Sequence, residues 1–60
     1  MGPFMREKAL AQLLGMSLPG IRRWRYFGTG PKFVKFGSSV RYSASDVSSW
    51  IAAQPTGGGR

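Results

Sequence analysis

The chain has 60 residues, nine of them Lys or Arg against two that are acidic, with no His and no Cys, giving a net charge of +7. This length supports one domain at most, disulfides are excluded, and a conventional zinc site would find neither thiolate nor imidazole ligands. With only Glu7 and Asp46 as carboxylates, no enzyme, metal or cofactor is expected, and no stretch reaches the roughly 20 apolar residues of a membrane span.

Met1 to Met5 form a short apolar lead in which Gly2-Pro3 disfavours regular structure, with Phe4 and Met5 placed to cover one edge of the core. From Glu7 onward, Leu10, Ala11, Leu13 and Leu14 follow helical spacing, and Gly15 suits a left-handed stop. Arg6 offers no side-chain oxygen to the first amides of this helix, although Glu7 in its first turn suits the dipole. Gly15-Met-Ser17 makes a tight connection. Ser17 is a good N-cap for a second helix reaching about Phe27, with Pro19 in its first turn, where a missing amide hydrogen is tolerated. At about 100° per residue, Ile21 and Trp24 share one face of it, while Pro19, Arg22, Arg23 and Tyr26 cluster opposite. Two helices joined by a three-residue turn containing Gly make a helix-turn-helix, whose second helix reads the major groove.

Gly28-Thr-Gly-Pro31 ends that helix. Lys32 to Phe36 and Val40 to Tyr42 then read as two strands around Gly37-Ser-Ser39, a hairpin wing. Ser43-Ala-Ser-Asp46 resembles a capping box, and Val47, Trp50 and Ile51 give a short amphipathic helix ending near Ala53 or Gln54. The expected core joins Trp24 and Trp50 to Leu10, Leu14, Ile21, Phe36 and Val47. The expected fold is α+β, a small winged helix-turn-helix with a two-stranded wing and a C-terminal helix. Its domain spans residues 6–54, after a lead at 1–5 and before a disordered tail at 55–60.

Six of the nine cations, Arg22, Arg23, Arg25, Lys32, Lys35 and Arg41, fall in one stretch without an acidic residue. Such a stretch needs a polyanion, and a helix beside a basic hairpin makes double-stranded DNA the expected partner. Arg22 and Arg23 carry forks suited to guanine or phosphate, and the sequence does not say which of them reads a base. Arg25 lies nearer the core side and suits support of the wing. Tyr26 fits two readings, a phosphate donor or a half-buried ring over the helix end. Lys35 and Arg41 are placed to grip phosphates, and a lysine there also discourages edge pairing. Ser17 can present its hydroxyl or amide to a phosphate, though capping alone accounts for it. Gly20 costs about 1 kcal/mol of helix propensity and permits close backbone approach. The two tryptophans, spaced with the apolar residues, read as core rather than as stacking platforms.

The order of these elements, with Leu13-Leu-Gly-Met-Ser17, Ile21-Arg-Arg-Trp24, Gly30-Pro31, Val34-Lys-Phe-Gly37, Val40-Arg-Tyr42 and Ser45-Asp-Val-Ser-Ser-Trp-Ile51, resembles the AlpA/excisionase group of winged-helix proteins, relatives of the MerR-type DNA-binding domain, over about residues 5–53. The resemblance implies phage or mobile-element DNA binding. Some members steer an integrase toward excision by binding and bending attachment-site DNA; others, AlpA-like, regulate transcription. An excisionase working in the bacterial cytoplasm on the nucleoid, with an integrase as partner, is the expectation. Because one recognition helix reads few base pairs, further copies on adjacent sites are also expected. The chain departs from the group at the wing tip, where Ser38-Ser39 stand in place of basic residues, and at Gly20, where a larger residue is common. MerR regulators append a dimerisation helix and a sensor domain, so an inducer-sensing role is not expected. A cationic peptide for RNA or a membrane surface fits less well, since Gly15, Gly28 to Pro31 and Gly37 break the chain into pieces that can share a core.

Overall fold

The first helix begins abruptly and ends cleanly, as its sequence requires. In the computed structural model, which describes residues 3–56, α1 (Glu7–Leu14) starts at Arg6 without a side-chain cap and stops at Gly15, left-handed at φ 67°. The Met16 amide folds back on the Ala11 carbonyl at 2.8 Å, sealing the turn. Ser17 then caps α2 (Leu18–Phe27), its hydroxyl accepting the Gly20 amide at 3.3 Å. Gly28 ends α2, and the Thr29 amide returns to the Trp24 carbonyl at 2.8 Å. Gly30 is required twice over. Its φ is 83°, and a Cβ there would lie 2.6 Å from the Trp24 ring.

The wing consists of β2 (Val34–Phe36) and β3 (Ser39–Ser43), joined by Gly37-Ser38 with Gly37 at φ 65°. Glycine first in a two-residue loop matches the twist of hairpin strands. The sheet has three strands rather than the expected two. Phe4–Met5 forms β1, which pairs antiparallel with β3, Phe4 opposite Ser43 and Met5 opposite Tyr42, so β3 is central. Two residues carry no readable alternation, and Gly2-Pro3 beside them argues against a strand, which is why pairing with β3 decides the matter. The lead also serves α3 (Ala44–Ala52). Ser43 has N-cap backbone geometry but makes no side-chain cap bond, contrary to the capping-box reading. Its hydroxyl lies 3.1 Å from that of Ser45, and the Ala44 amide donates to the Pro3 carbonyl at 2.6 Å instead.

Leu10, Ala11, Ile21, Tyr42 and Val47 are the buried core, with Met5, Leu14, Met16, Trp24 and Val40 packed half-buried around them. Phe36, expected inside, is 54 % exposed, and Tyr42 holds the centre at 1 %. The register explains the exchange: Phe36 pairs with Ser39 and Val34 with Arg41, on the sheet face opposite the one where Val40 and Tyr42 turn inward. Phe36 meets Phe4 edge to face instead, at 5.5 Å between ring centres. Trp50 is half-buried and packs on Trp24, centres 5.0 Å apart. Leu13 and Ile51 are exposed. Of the expected tail, Pro55 and Thr56 are exposed and residues 57–60 lie outside the described residues, as do residues 1 and 2 of the lead.

Candidate nucleic-acid interface

Pro19, Arg23 and Tyr26 recur at i, i+4 and i+7 along α2 and form its outward face, all three exposed. Tyr26 is 84 % exposed, its ring edge-on to Phe27, so it does not cover the helix end as a half-buried ring. Arg23 makes no hydrogen bond or ion pair among the described residues, which leaves its fork free to reach outward. Ser17 and Gly20 occupy the start of this helix, hydroxyl bonded to amide. A methyl group at Gly20 would meet the Met16 and Ser17 side chains at 3.4 Å, ordinary contact, so internal packing does not demand glycine there.

Arg22 sits one residue earlier and turns a different way. Its guanidinium donates to Glu7 Oε2 from Nη2 at 2.9 Å and from Nε at 3.3 Å. Arg25 takes the other oxygen, Nη1 lying 2.8 Å from Glu7 Oε1, and also reaches the Tyr42 hydroxyl at 3.5 Å. Its guanidinium carbon is 5.9 Å from the centre of the Phe33 ring, so Arg25 does brace the second helix against the wing. One carboxylate therefore joins two of the three arginines of α2, Arg22 and Arg25, to the first residue of α1. The Arg22 hydrogen bond, above all, holds the Glu7 carboxyl below the usual range against the raising effect of partial burial, and Arg25 adds to it.

These groups lie in an open cleft of about 460 Å³ between the starts of α1 and α2 and the tip of the wing. Arg6, Lys8, Arg22, Arg25 and Arg41 line it around Glu7, and Ser38 and Ser39 close it from the wing side. Five cations against one carboxylate make it an electropositive trough beside the outward face of α2. Arg41 is half-buried there and donates to the Val40 carbonyl at 2.8 Å. Lys35 is elsewhere. It pairs with Val40 while Arg41 pairs with Val34, which puts the two cations on opposite faces of the hairpin and keeps them from gripping the same phosphate. Arg6 and Lys8 stand apart from the cationic stretch in the sequence, with Glu7 between them offsetting one of the two charges. Only the packing of α1 on α2 and the nearness of the wing bring them to the other arginines.

The helix-turn-helix domain model matches residues 4–55, nearly the whole chain. The chain belongs to the helix-turn-helix domain family. No curated protein matches it. The family includes AlpA/excisionase-like proteins and is typically non-enzymatic, and membership makes this helix-turn-helix domain a sequence-specific DNA-binding module. In such a module α2 is the recognition helix and the hairpin its wing. No helix among the described residues is long and apolar enough to cross a membrane.

Proposed function

We propose that this helix-turn-helix domain acts as an excisionase, a recombination directionality factor that binds attachment-site DNA and directs an integrase toward excision. In this reading α2 enters the major groove, and Arg23 pairs with a guanine edge. Pro19, Gly20 and Tyr26 lie against the groove walls, and Ser17 sits at the helix start near the backbone. Arg22 and Arg41 take phosphates from the cleft, and Lys35 takes another from the far face of the wing. The observation that carries DNA contact on this side is the unpaired Arg23 face lying directly beside a trough of five cations. The excisionase role is supported by the motif order of Ile21 to Trp24, Gly30-Pro31, Val40 to Tyr42 and Ser45 to Ile51, which resembles that group. One module reads few base pairs, so several copies act on adjacent sites in the bacterial cytoplasm, on the nucleoid.

Footprinting on the DNA around the chain's own gene and the nearest attachment site, with and without the cognate integrase, tests the proposal. Protection of repeated sites in an attachment arm, together with stimulated excision, is expected. Protection confined to a promoter, with excision unaffected, would assign an AlpA-like regulatory role instead.

A further inference from the structure

A trough that attracts phosphate gains nothing from a carboxylate at its centre, yet Glu7 stands there among five cations. Its two partners are held very differently. The Arg25 side chain is 20 % exposed and is braced by Tyr42 and Phe33, whereas Arg22 is 56 % exposed and is held by Glu7 alone among the described residues. Arg22 is therefore the partner free to move. An ion pair with so exposed a partner stabilises the fold little, so breaking it costs little. A guanidinium fork fits a phosphate as well as it fits a carboxylate. Glu7 would not be stranded, because Oε1, closed off from solvent and without a hydrogen bond of good geometry, still has the Arg25 guanidinium 2.8 Å away as its counter-charge.

We propose that the cleft holds one phosphodiester group of bound DNA by partner exchange, with Arg22 leaving the Glu7 carboxylate for the phosphate while Arg25 stays behind to neutralise Glu7. The inference rests on the DNA-binding reading of this face and deepens it. Glu7 then has two roles in one place. In the free protein it parks Arg22 and ties α2 to α1; in the complex it competes with every incoming phosphate, whatever the sequence, and so holds down the sequence-independent part of the affinity. Arg6, Lys8 and Arg41 supply the field that favours the exchange.

The test uses the full chain and a 20-base-pair duplex of arbitrary sequence, titrated by fluorescence anisotropy across a salt series, with thermal unfolding recorded for each variant. Glu7→Gln is expected to bind this duplex about 3- to 10-fold more tightly, the scale of removing one competing charge. Arg22→Ala is expected to make the log-log salt slope shallower by about one unit. A folded Glu7→Gln protein that binds no more tightly than the parent would overturn the exchange. Should Glu7→Gln loosen the helices, Arg22→Ala decides alone, since Glu7 keeps Arg25 in that variant, and an unchanged slope would overturn the proposal. The parent failing to bind any duplex would sink the DNA-binding reading as well, whereas a parent that binds while both variants match it sinks only the exchange.

Discussion

Arg22 and Arg23 are neighbours in sequence with different tasks, because a step of about 100° around α2 takes the side chain from the Glu7 cleft to the outward face. Arg23→Ala should weaken binding to the DNA recovered by footprinting by about 1–3 kcal/mol if the fork makes a bidentate base contact. Its thermal transition should stay where it is, since that exposed guanidinium makes no hydrogen bond or ion pair among the described residues. Calorimetry of the variant beside a binding titration checks both halves; unchanged affinity would remove the outward face of α2 from the interface. Gly30 is the opposite case, a residue far from that face whose size is fixed by a tryptophan. Gly30→Ala forces a left-handed residue to carry a Cβ into the Trp24 ring, and should destabilise the domain by about 2–4 kcal/mol. Urea unfolding reads this directly, and an unmoved midpoint would show that the Trp24 and Trp50 rings have room to shift.

The joint between α1 and α2 runs through Glu7, so it should respond to acid. The folded-state pKa of Glu7 lies below its unfolded value. Its contribution is thus complete above the ordinary carboxylate pKa of about 4.3 and is lost as pH falls through the lower folded value. Thermal unfolding followed from pH 6 to pH 2 should show a fall in stability at the acid end that Glu7→Gln lacks; parallel curves for the two proteins would discount the joint. The helices themselves were legible because caps and periodicity are local. Ser17, Gly15 and Gly28 mark ends wherever they stand, and Ile21 with Trp24 repeats at helical spacing. The sheet was legible only in part. Alternation shows that Val34 and Phe36 share a face, as do Val40 and Tyr42, but not whether the two pairs share one face or which turns inward; the register across Gly37-Ser38 sets them on opposite faces, with Tyr42 rather than Phe36 in the core. The candidate site divides the same way. The outward face of α2 follows from its own spacing except at Arg22, which that spacing groups with Arg23 and which Glu7 draws into the cleft; the cleft itself needs α1, α2 and the wing folded together.

For the whole molecule the governing quantity is charge, +7 on 60 residues, and binding should fall steeply with salt. Neutralising about 4–6 phosphates implies a log-log slope near −4 to −5. Arg41→Ala and Lys35→Ala should each make the slope shallower by about one unit and weaken related and unrelated duplexes alike. Since the two side chains lie on opposite faces of the wing, their effects should add in the double variant. A double variant no worse than either single one would mean that both serve one phosphate, which the hairpin register forbids.

The pairing of Phe4–Met5 with Tyr42 and Ser43 also bears on how such a chain is made. The two residues precede their partners Tyr42 and Ser43 by most of the domain and stay unpaired until the central strand is in place. Until then the helix pair holds Leu10, Ala11 and Ile21 without Tyr42 and Val47, too little apolar cover to stand alone. Closure is a long-range contact, in which the Pro3 carbonyl meets the Ala44 amide and joins the edge of the sheet to the start of the last helix. An affinity tag fused tightly against Phe4 would press on that closure, and a flexible spacer ahead of it would let the strand seat.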